Sequence, residues 1–390
     1  MLYLKSRRPP ALSPLPAKAR RQFLRQLGLA VGSTGALAHL PLKSEATTTA
    51  APASCPGIRI PMKDVQGKVA FITGGDSGIG LGIARAFSNA GMKVCITYRT
   101  PKHLSEAKDA LRSSIDRIHA INVDVSDREG MSAAAEETVR VFGRLHVLVN
   151  NAGVDLGGIP LENTTFDDWD WVMGVNVNGV FNGIRAFLPK IRAHGEGGHV
   201  VSTSSIQGLI ARNGGGLYSV TRFAVVGLME ALRWELSDTN IGVSVFCPGG
   251  VLSNIGDSNR NRPRTLAETG KPDFSQPAVR AAELELEELM SKNHGVLPLM
   301  DPLEAGERVL KGIQNNDLYI LSHAEFEQGI RDRNEALLAS IPVDDRAPPE
   351  GRVAVERVAD ILRNPIYYNE RDRKLCERSR GRNGARPKRP

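Results

Sequence analysis

Between Thr73 and Gly80 the chain reads Thr-Gly-Gly-Asp-Ser-Gly-Ile-Gly. Glycines at 74, 78 and 80 permit a tight turn. They also let a phosphate group approach the backbone N–H groups of Asp76, Ser77 and Ile79, which a helix start would present to an anion. Alone, such a loop is equally an ordinary flexible turn, and only a strand before it and a helix after it favour the binding reading. A second group lies at Tyr98-Arg99. In a dinucleotide-binding unit the end of the second strand carries an acid for ribose hydroxyls or an arginine near a 2′-phosphate. No acid occurs between Lys93 and Ser105. NADP is therefore favoured over NAD, with Arg99 as the phosphate partner; an ordinary surface charge is the other reading of Arg99. Ser77, before Gly78, adds no second basic group.

The elements that must position these groups alternate. Val69 to Thr73 is a short apolar run ending in glycines, and Ile79 to Ala90 has helical periodicity. Strands are expected at Val94–Thr97, Ile118–Val123, Val147–Val149, His199–Ser202, Val243–Phe246 and Leu318–Leu321. Helices are expected around Leu104–Leu111, and at Arg128–Phe142, Phe166–His194, Ser219–Leu236 and Pro302–Gln314. Short apolar strands alternating with helices argue for a parallel sheet covered on both faces. Right-handed crossovers make it a Rossmann-type, doubly wound α/β sheet in three layers, with ligands beyond the C-terminal ends of the strands.

In that order and register the motifs resemble the short-chain dehydrogenase/reductase family across residues 66–256. The glycine turn is followed by Asp124-Val125, which the resemblance places beside the adenine. Asn150-Asn-Ala-Gly153 matches the signature after the fourth strand, with Asn151 along the cofactor. Asn176, Ser205 and Tyr218 match the catalytic asparagine, serine and tyrosine. Pro248-Gly249, with Val251 and Ser253, matches the segment flanking the nicotinamide. The resemblance implies an NAD(P)-dependent oxidoreductase interconverting a secondary alcohol and a ketone, and a homotetramer or homodimer.

The chemistry can be reasoned separately. Alcohol–ketone interconversion needs a hydride acceptor or donor and a group that moves the hydroxyl proton. A phenol titrating near 10 is a poor base at neutral pH, so Tyr218 needs a nearby cation. A serine hydroxyl such as that of Ser205 can hold the substrate oxygen, and Asn176 would help place a water in the proton path. Singly, Tyr218 could pack as an aromatic, Ser205 cap a turn and Asn176 bond backbone; together and in register they favour catalysis. One departure stands out, because Arg222 occupies the position of the family lysine, which binds nicotinamide ribose and activates the tyrosine. Arginine keeps the charge but is planar and longer. The other function class is therefore a dinucleotide-binding protein with little turnover.

Residues 252–300 fall where the family carries its substrate-covering region, with an expected helix at Ala281–Met290. Ser253–Ile255 and His323–Phe326 resemble the branch acting on bulky aryl secondary alcohols, which favours a hydrophobic or aromatic substrate.

The formal net charge of +7 resides in the tails. Residues 1–53 hold eight Lys/Arg against Glu45, and residues 371–390 nine against Asp372 and Glu377, leaving residues 54–370 net acidic. A nucleic-acid groove is not expected. Arg20-Arg21 followed by Phe23-Leu24, a modest apolar run and Ala-x-Ala sites at 36–38 and 51–53 describe a twin-arginine export signal and a periplasmic location. A basic tail or a transit peptide is the alternative, with a cytoplasmic enzyme if export is absent. Cys55, Cys95, Cys247 and Cys376 have no paired spacing and imply neither a disulfide framework nor a metal site. The chain divides into a signal (1–53), one Rossmann domain (54–345) and a basic extension (346–390), whose end beyond about Asn369 is not expected to build a core. No stretch is long enough for a permanent membrane span.

Overall fold

A computed structural model describes residues 60–157, 159–212, 215–266, 288, 299–342, 355–360 and 363–384. The export signal and, apart from residue 288, the helix expected at Ala281–Met290 lie outside the described residues.

The order is β1 (Val69–Ile72), α1 (Gly78–Asn89), β2 (Lys93–Tyr98), α2 (Pro101–Ala110), β3 (Ile118–Asn122), α3 (Arg128–Phe142) and β4 (Val147–Asn150). It continues with α4 (Phe166–Met173), α5 (Gly179–Ala193), β5 (Gly198–Thr203), α6 (Gly216–Glu235), β6 (Ile241–Cys247), α7 (Pro302–Asn315) and β7 (Tyr319–Leu321). The strands form one sheet in the order β3-β2-β1-β4-β5-β6-β7, every neighbouring pair parallel. The direction of winding reverses between β1 and β4, and that reversal opens a crevice at the strand ends.

Strand alternation builds two cores. Val69 and Phe71 face Met131, Phe187 and Val225 from α3, α5 and α6, with the Phe71 and Phe187 rings 4.1 Å apart. Ala70 and Ile72 face Ile83 and Phe87 of α1 and Val309 and Ile313 of α7. Burial on both faces is why the strands read as apolar runs rather than alternating ones.

The expected helix 166–194 is one helical path carrying a π turn at Gly174–Asn178. It starts on a capping box in which Thr165 Oγ1 accepts from Asp168 N and Asp168 Oδ2 accepts from Thr165 N. No helix among the described residues is long and apolar enough to cross a membrane.

The C-terminal end corrects two expectations. Helix α8 (Glu327–Ala339) is followed by α9 (Pro365–Gly384), and α9 buries Ile366, Glu370, Arg373 and Cys376. Composition counted those residues as tail; spacing of four, three and three puts them on one helical stripe. Cys376 is also disulfide-bonded, although nothing in the cysteine spacing signalled a bond, because the fold and not the local sequence brings such partners together.

Candidate active site

The C-terminal ends of the strands surround a cavity of about 850 Å³. Gly74, Asp76, Ser77, Gly78, Ile79, Arg99, Asp124, Val125, Asn151, Ser205, Tyr218, Arg222, Pro248, Gly249 and Val251 all line it. Of the residues expected from sequence, only Gly80 and Asn176 lie behind its wall.

The glycine turn is held by three threonines that sequence reasoning passed over. Thr97 Oγ1 accepts from Gly74 N at 2.8 Å. Thr73 Oγ1 accepts from Asn151 N at 2.8 Å and Ala152 N at 3.0 Å. Thr203 donates to Asn151 Oδ1, while Asn151 Nδ2 donates to Thr73 O and Gly74 O. The ends of β1, β2, β4 and β5 are thereby tied around one loop, in which Gly74 and Gly78 have φ of +59° and +50°. At the outer end Arg99 is ion-paired with Asp124. Burial raises the Asp76 carboxyl above its ordinary range against the opposing pull of His103, 3.8 Å away.

At the inner end Ser205 Oγ accepts from Gln207 N at 3.2 Å, which orients the hydroxyl at the cavity wall. Arg222, 2% exposed, lies one helical turn after Tyr218 on α6. Its guanidinium carbon is 4.5 Å from the centre of the Tyr218 ring. Nη1 donates to Thr203 O at 3.1 Å, and Nη2 packs so close to Gly153 that a Cβ there would sit 2.5 Å from it. Buried Nε has no partner among the described residues. The longer arginine is thus accommodated by a glycine and a strand-end carbonyl, with a donor left over.

Asn176 is fully buried. Its Oδ1 accepts from Val154 N, and Nδ2 donates to Val154 O and Thr221 Oγ1. Thr221 in turn donates to Tyr218 O. The side-chain amide has both hydrogens engaged, so it positions α6 and the segment after β4.

The remaining wall comes from the segment after β6. Ile255, Ser258, Arg260 and Asn261 line the cavity, with Trp171 and Phe326 beside them. Arg262 fastens that wall. Its Nη1 lies 2.7 Å from Oδ1 of Asp168, whose side chain is fully buried, and its guanidinium carbon is 5.1 Å from the Trp171 ring centre. Nothing in the sequence links 262 to 168; the pairing exists only in the fold. Arg262→Ala strands a buried carboxylate, a loss of roughly 3–5 kcal/mol in such pairs. The expected result is a lower unfolding temperature and a KM for the alcohol raised several-fold, with dinucleotide affinity unchanged. Equal weakening of dinucleotide and alcohol binding would refute a clamp specific to the substrate wall.

The tightest set of metal-type ligands among the described residues is His146, His194 and Glu196, none of which lines the cavity. His146 Nδ1 accepts from Val69 N, His194 Nε2 meets Leu145 O, and Lys68 and Arg144 both pair with Glu196. These groups have protein partners, and two cations on the carboxylate oppose a third.

A family model described as short chain dehydrogenase matches residues 68–264. A C alpha-dehydrogenase of Sphingobium sp. is 36% identical over 296 residues, covering 76% of this chain and 93% of that protein. A 3beta-hydroxysteroid dehydrogenase 2 of Eggerthella lenta is 36% identical over 192 residues, covering 49% of this chain and 74% of its own length. Among solved structures, a short chain dehydrogenase/reductase from Burkholderia phymatum in complex with NAD is similar, with a TM-score of 0.64 and 31% identity. That match covers 73% of this chain and 99% of the other.

Proposed function

The chain belongs to the short-chain dehydrogenase family, and from that premise we propose that it interconverts a bulky, hydrophobic or aromatic secondary alcohol and its ketone, using NADP in preference to NAD. As a family member it is an NAD(P)-dependent oxidoreductase acting on CH–OH groups. The residues present fit a dinucleotide: the glycine turn is a cradle that side chains would fill, and Arg222 Nε is a buried donor without a partner among the described residues. Bound there, the nicotinamide would supply or accept the hydride.

Backbone N–H groups of Asp76, Ser77 and Ile79 would hold the pyrophosphate in the turn that Gly74 and Gly78 shape, Asp124 and Val125 the adenine end, and Asn151, Pro248, Gly249 and Val251 the nicotinamide end. Ser205 orients the substrate oxygen. Tyr218 donates its hydroxyl proton to the nascent alkoxide, or accepts the proton from the alcohol in reverse. The charge of Arg222 against the ring stabilises the phenolic oxygen while the proton is away. The observation that carries this reading is the Arg222 guanidinium against Tyr218, in the same cavity as Ser205.

The apolar wall of Trp171, Val175, Ile206, Ile210 and Phe326 supports the substrate class. Support for NADP is Arg99 at the cavity rim, with Tyr98 where an acid would select NAD. Asp124 competes for Arg99, so NAD is the other reading. Titration with NADPH and NADH decides. Arg99→Ala should cost NADPH binding about tenfold or more, since a hydrogen bond to a charged group contributes roughly 1.5–3 kcal/mol, and should leave NADH nearly untouched. Equal losses would overturn the NADP assignment.

Two further readings accompany this one. The arginine pair and acid-free lead support export to the periplasm, with cytoplasmic action as the alternative. Exposed Phe166, Trp169, Phe181, Val220 and Trp234 on α4–α6 support assembly of copies into a homotetramer or homodimer.

A further inference from the structure

The segment after β6 walls the substrate side, but it first runs against the glycine turn. A Cβ on Gly78 would stand 2.9 Å from Ser253 Cβ. The segment then makes a tight helical turn over Ile255–Asn261, from which Arg260 reaches the cavity that Asp76, Ser77 and Gly78 also line. Arg260 Nη1 donates to Asn254 O and Asp257 O, which fixes the guanidinium on its own segment. Nε and Nη2 remain, the edge of the planar fork that can meet two phosphate oxygens side by side. No carboxylate pairs with Arg260 among the described residues.

Asp76 is buried in the turn, so an arriving phosphate meets a neighbouring acid and gains from a cation. Burial raises the Asp76 carboxyl, while its own N–H, His103, the Arg99 N–H and Arg260 pull against that rise. Five basic residues line the cavity among the described ones: Arg99, His103, Arg212, Arg222 and Arg260. Arg99 is ion-paired with Asp124, and His103 lies 3.8 Å from Asp76. Arg212 stands at the inner end, where its N–H donates to Ser219 Oγ, and Arg222 packs on the Tyr218 ring. Arg260 is left for the turn. We propose that Arg260 is a phosphate-binding residue: its guanidinium grips the pyrophosphate of the bound dinucleotide from the substrate wall, while the N–H groups of Asp76, Ser77 and Ile79 hold it from the turn.

The inference rests on the dinucleotide reading of the cavity and has a consequence that the turn alone does not. A dinucleotide held from both sides leaves only when Arg260 releases it, so the residue acts chiefly on the rate of dissociation, where most affinity differences at one site arise. Two neighbouring arginines then divide the work of one segment. Arg262 fastens it to buried Asp168, and Arg260 engages the cofactor. The pyrophosphate is common to both dinucleotides, so NADH and NADPH gain equally from Arg260. That separates its part from the part assigned to Arg99.

Titrations of the full chain with NADH, NADPH and ADP-ribose compare the parent with Arg260→Gln. The expected result is a loss of about tenfold for all three, the size of one hydrogen bond to a charged group. In stopped-flow fluorescence the loss should appear mainly as faster release of NADH, and it should shrink as salt is raised to about 0.5 M. Arg260 is exposed, so the unfolding temperature of the ligand-free variant should stay within about 2 °C of the parent. Arg260→Lys keeps the charge and should bind with an affinity between those of the parent and Arg260→Gln. A loss confined to NADPH moves the arginine to the 2′-phosphate and overturns the proposal. So does a lysine variant no better than the glutamine one, which assigns the effect to the bonds with Asn254 and Asp257. A parent that binds dinucleotide beside an Arg260→Gln that binds it equally well overturns the role of Arg260 alone. A parent that binds neither dinucleotide overturns the underlying reading of the cavity, and the proposal with it.

Discussion

Tyr218→Phe is expected to lower kcat by about a thousandfold or more while dinucleotide affinity stays within about twofold. A positioned acid–base group contributes roughly 10²–10⁴ in rate, and Tyr218 shares its cavity with Ser205 and Arg222. The substitution removes one oxygen and keeps the ring against Arg222, so loss of folding is not a confounding result. Retained turnover on a confirmed substrate would refute the acid–base assignment. The companion change, Arg222→Lys, separates the enzyme from the reading as a dinucleotide binder. Lysine keeps the charge, cannot donate in a planar fork, and vacates space beside Gly153. Activity kept or raised identifies the arginine as a working substitute for the family lysine. A parent protein that binds dinucleotide and turns over none of a broad carbonyl and alcohol screen favours the binder.

The sheet was legible because burial on both faces leaves apolar runs, and because glycine at the first turn marks strand-to-helix passage. Ser205 and Tyr218, thirteen positions apart, were legible as a matched pair. The three threonines around the turn were not, since a threonine at a strand end has the same residue type whether it bonds a loop or merely favours the strand. Asn176 was found but given a direct part in the proton path; the fold spends its amide on Val154 and Thr221. Arg262 and the buried stripe of α9 escaped for one physical reason. A charged side chain normally belongs at the surface, and only its partner, distant in sequence, reveals that it is inside. Composition correctly describes residues 371–390 as basic and incorrectly removes Arg373 and Cys376 from the packed structure.

Gly80→Ala is expected to abolish useful dinucleotide binding, with at least about a hundredfold loss of affinity and a clear fall in unfolding temperature. An added Cβ would stand 2.0 Å from Gly74 O and 2.6 Å from Asn151 Nδ2. Neither neighbour can yield cheaply. Gly74 O belongs to a backbone fixed at positive φ, and Asn151 is bonded to Thr73 O, Gly74 O and Thr203. Overpacking of this kind costs about 1–3 kcal/mol or more. The larger functional effect arises because the displaced atoms belong to the turn that must present its N–H groups, where a shift of about 1 Å is enough to lose about a hundredfold in function. Gly227→Ala is the matched control. Gly227 lies within α6, is exposed, and would have nothing within 4 Å of its new methyl. That change should stabilise the protein, by up to about 1 kcal/mol, and leave affinity alone. Fluorescence titration and thermal unfolding of both variants provide the measurement. Parent-like affinity in Gly80→Ala would mean that the turn is not the pyrophosphate site. Equal destabilisation in the control would assign the loss to the loss of glycine in a helix rather than to the contact with Gly74.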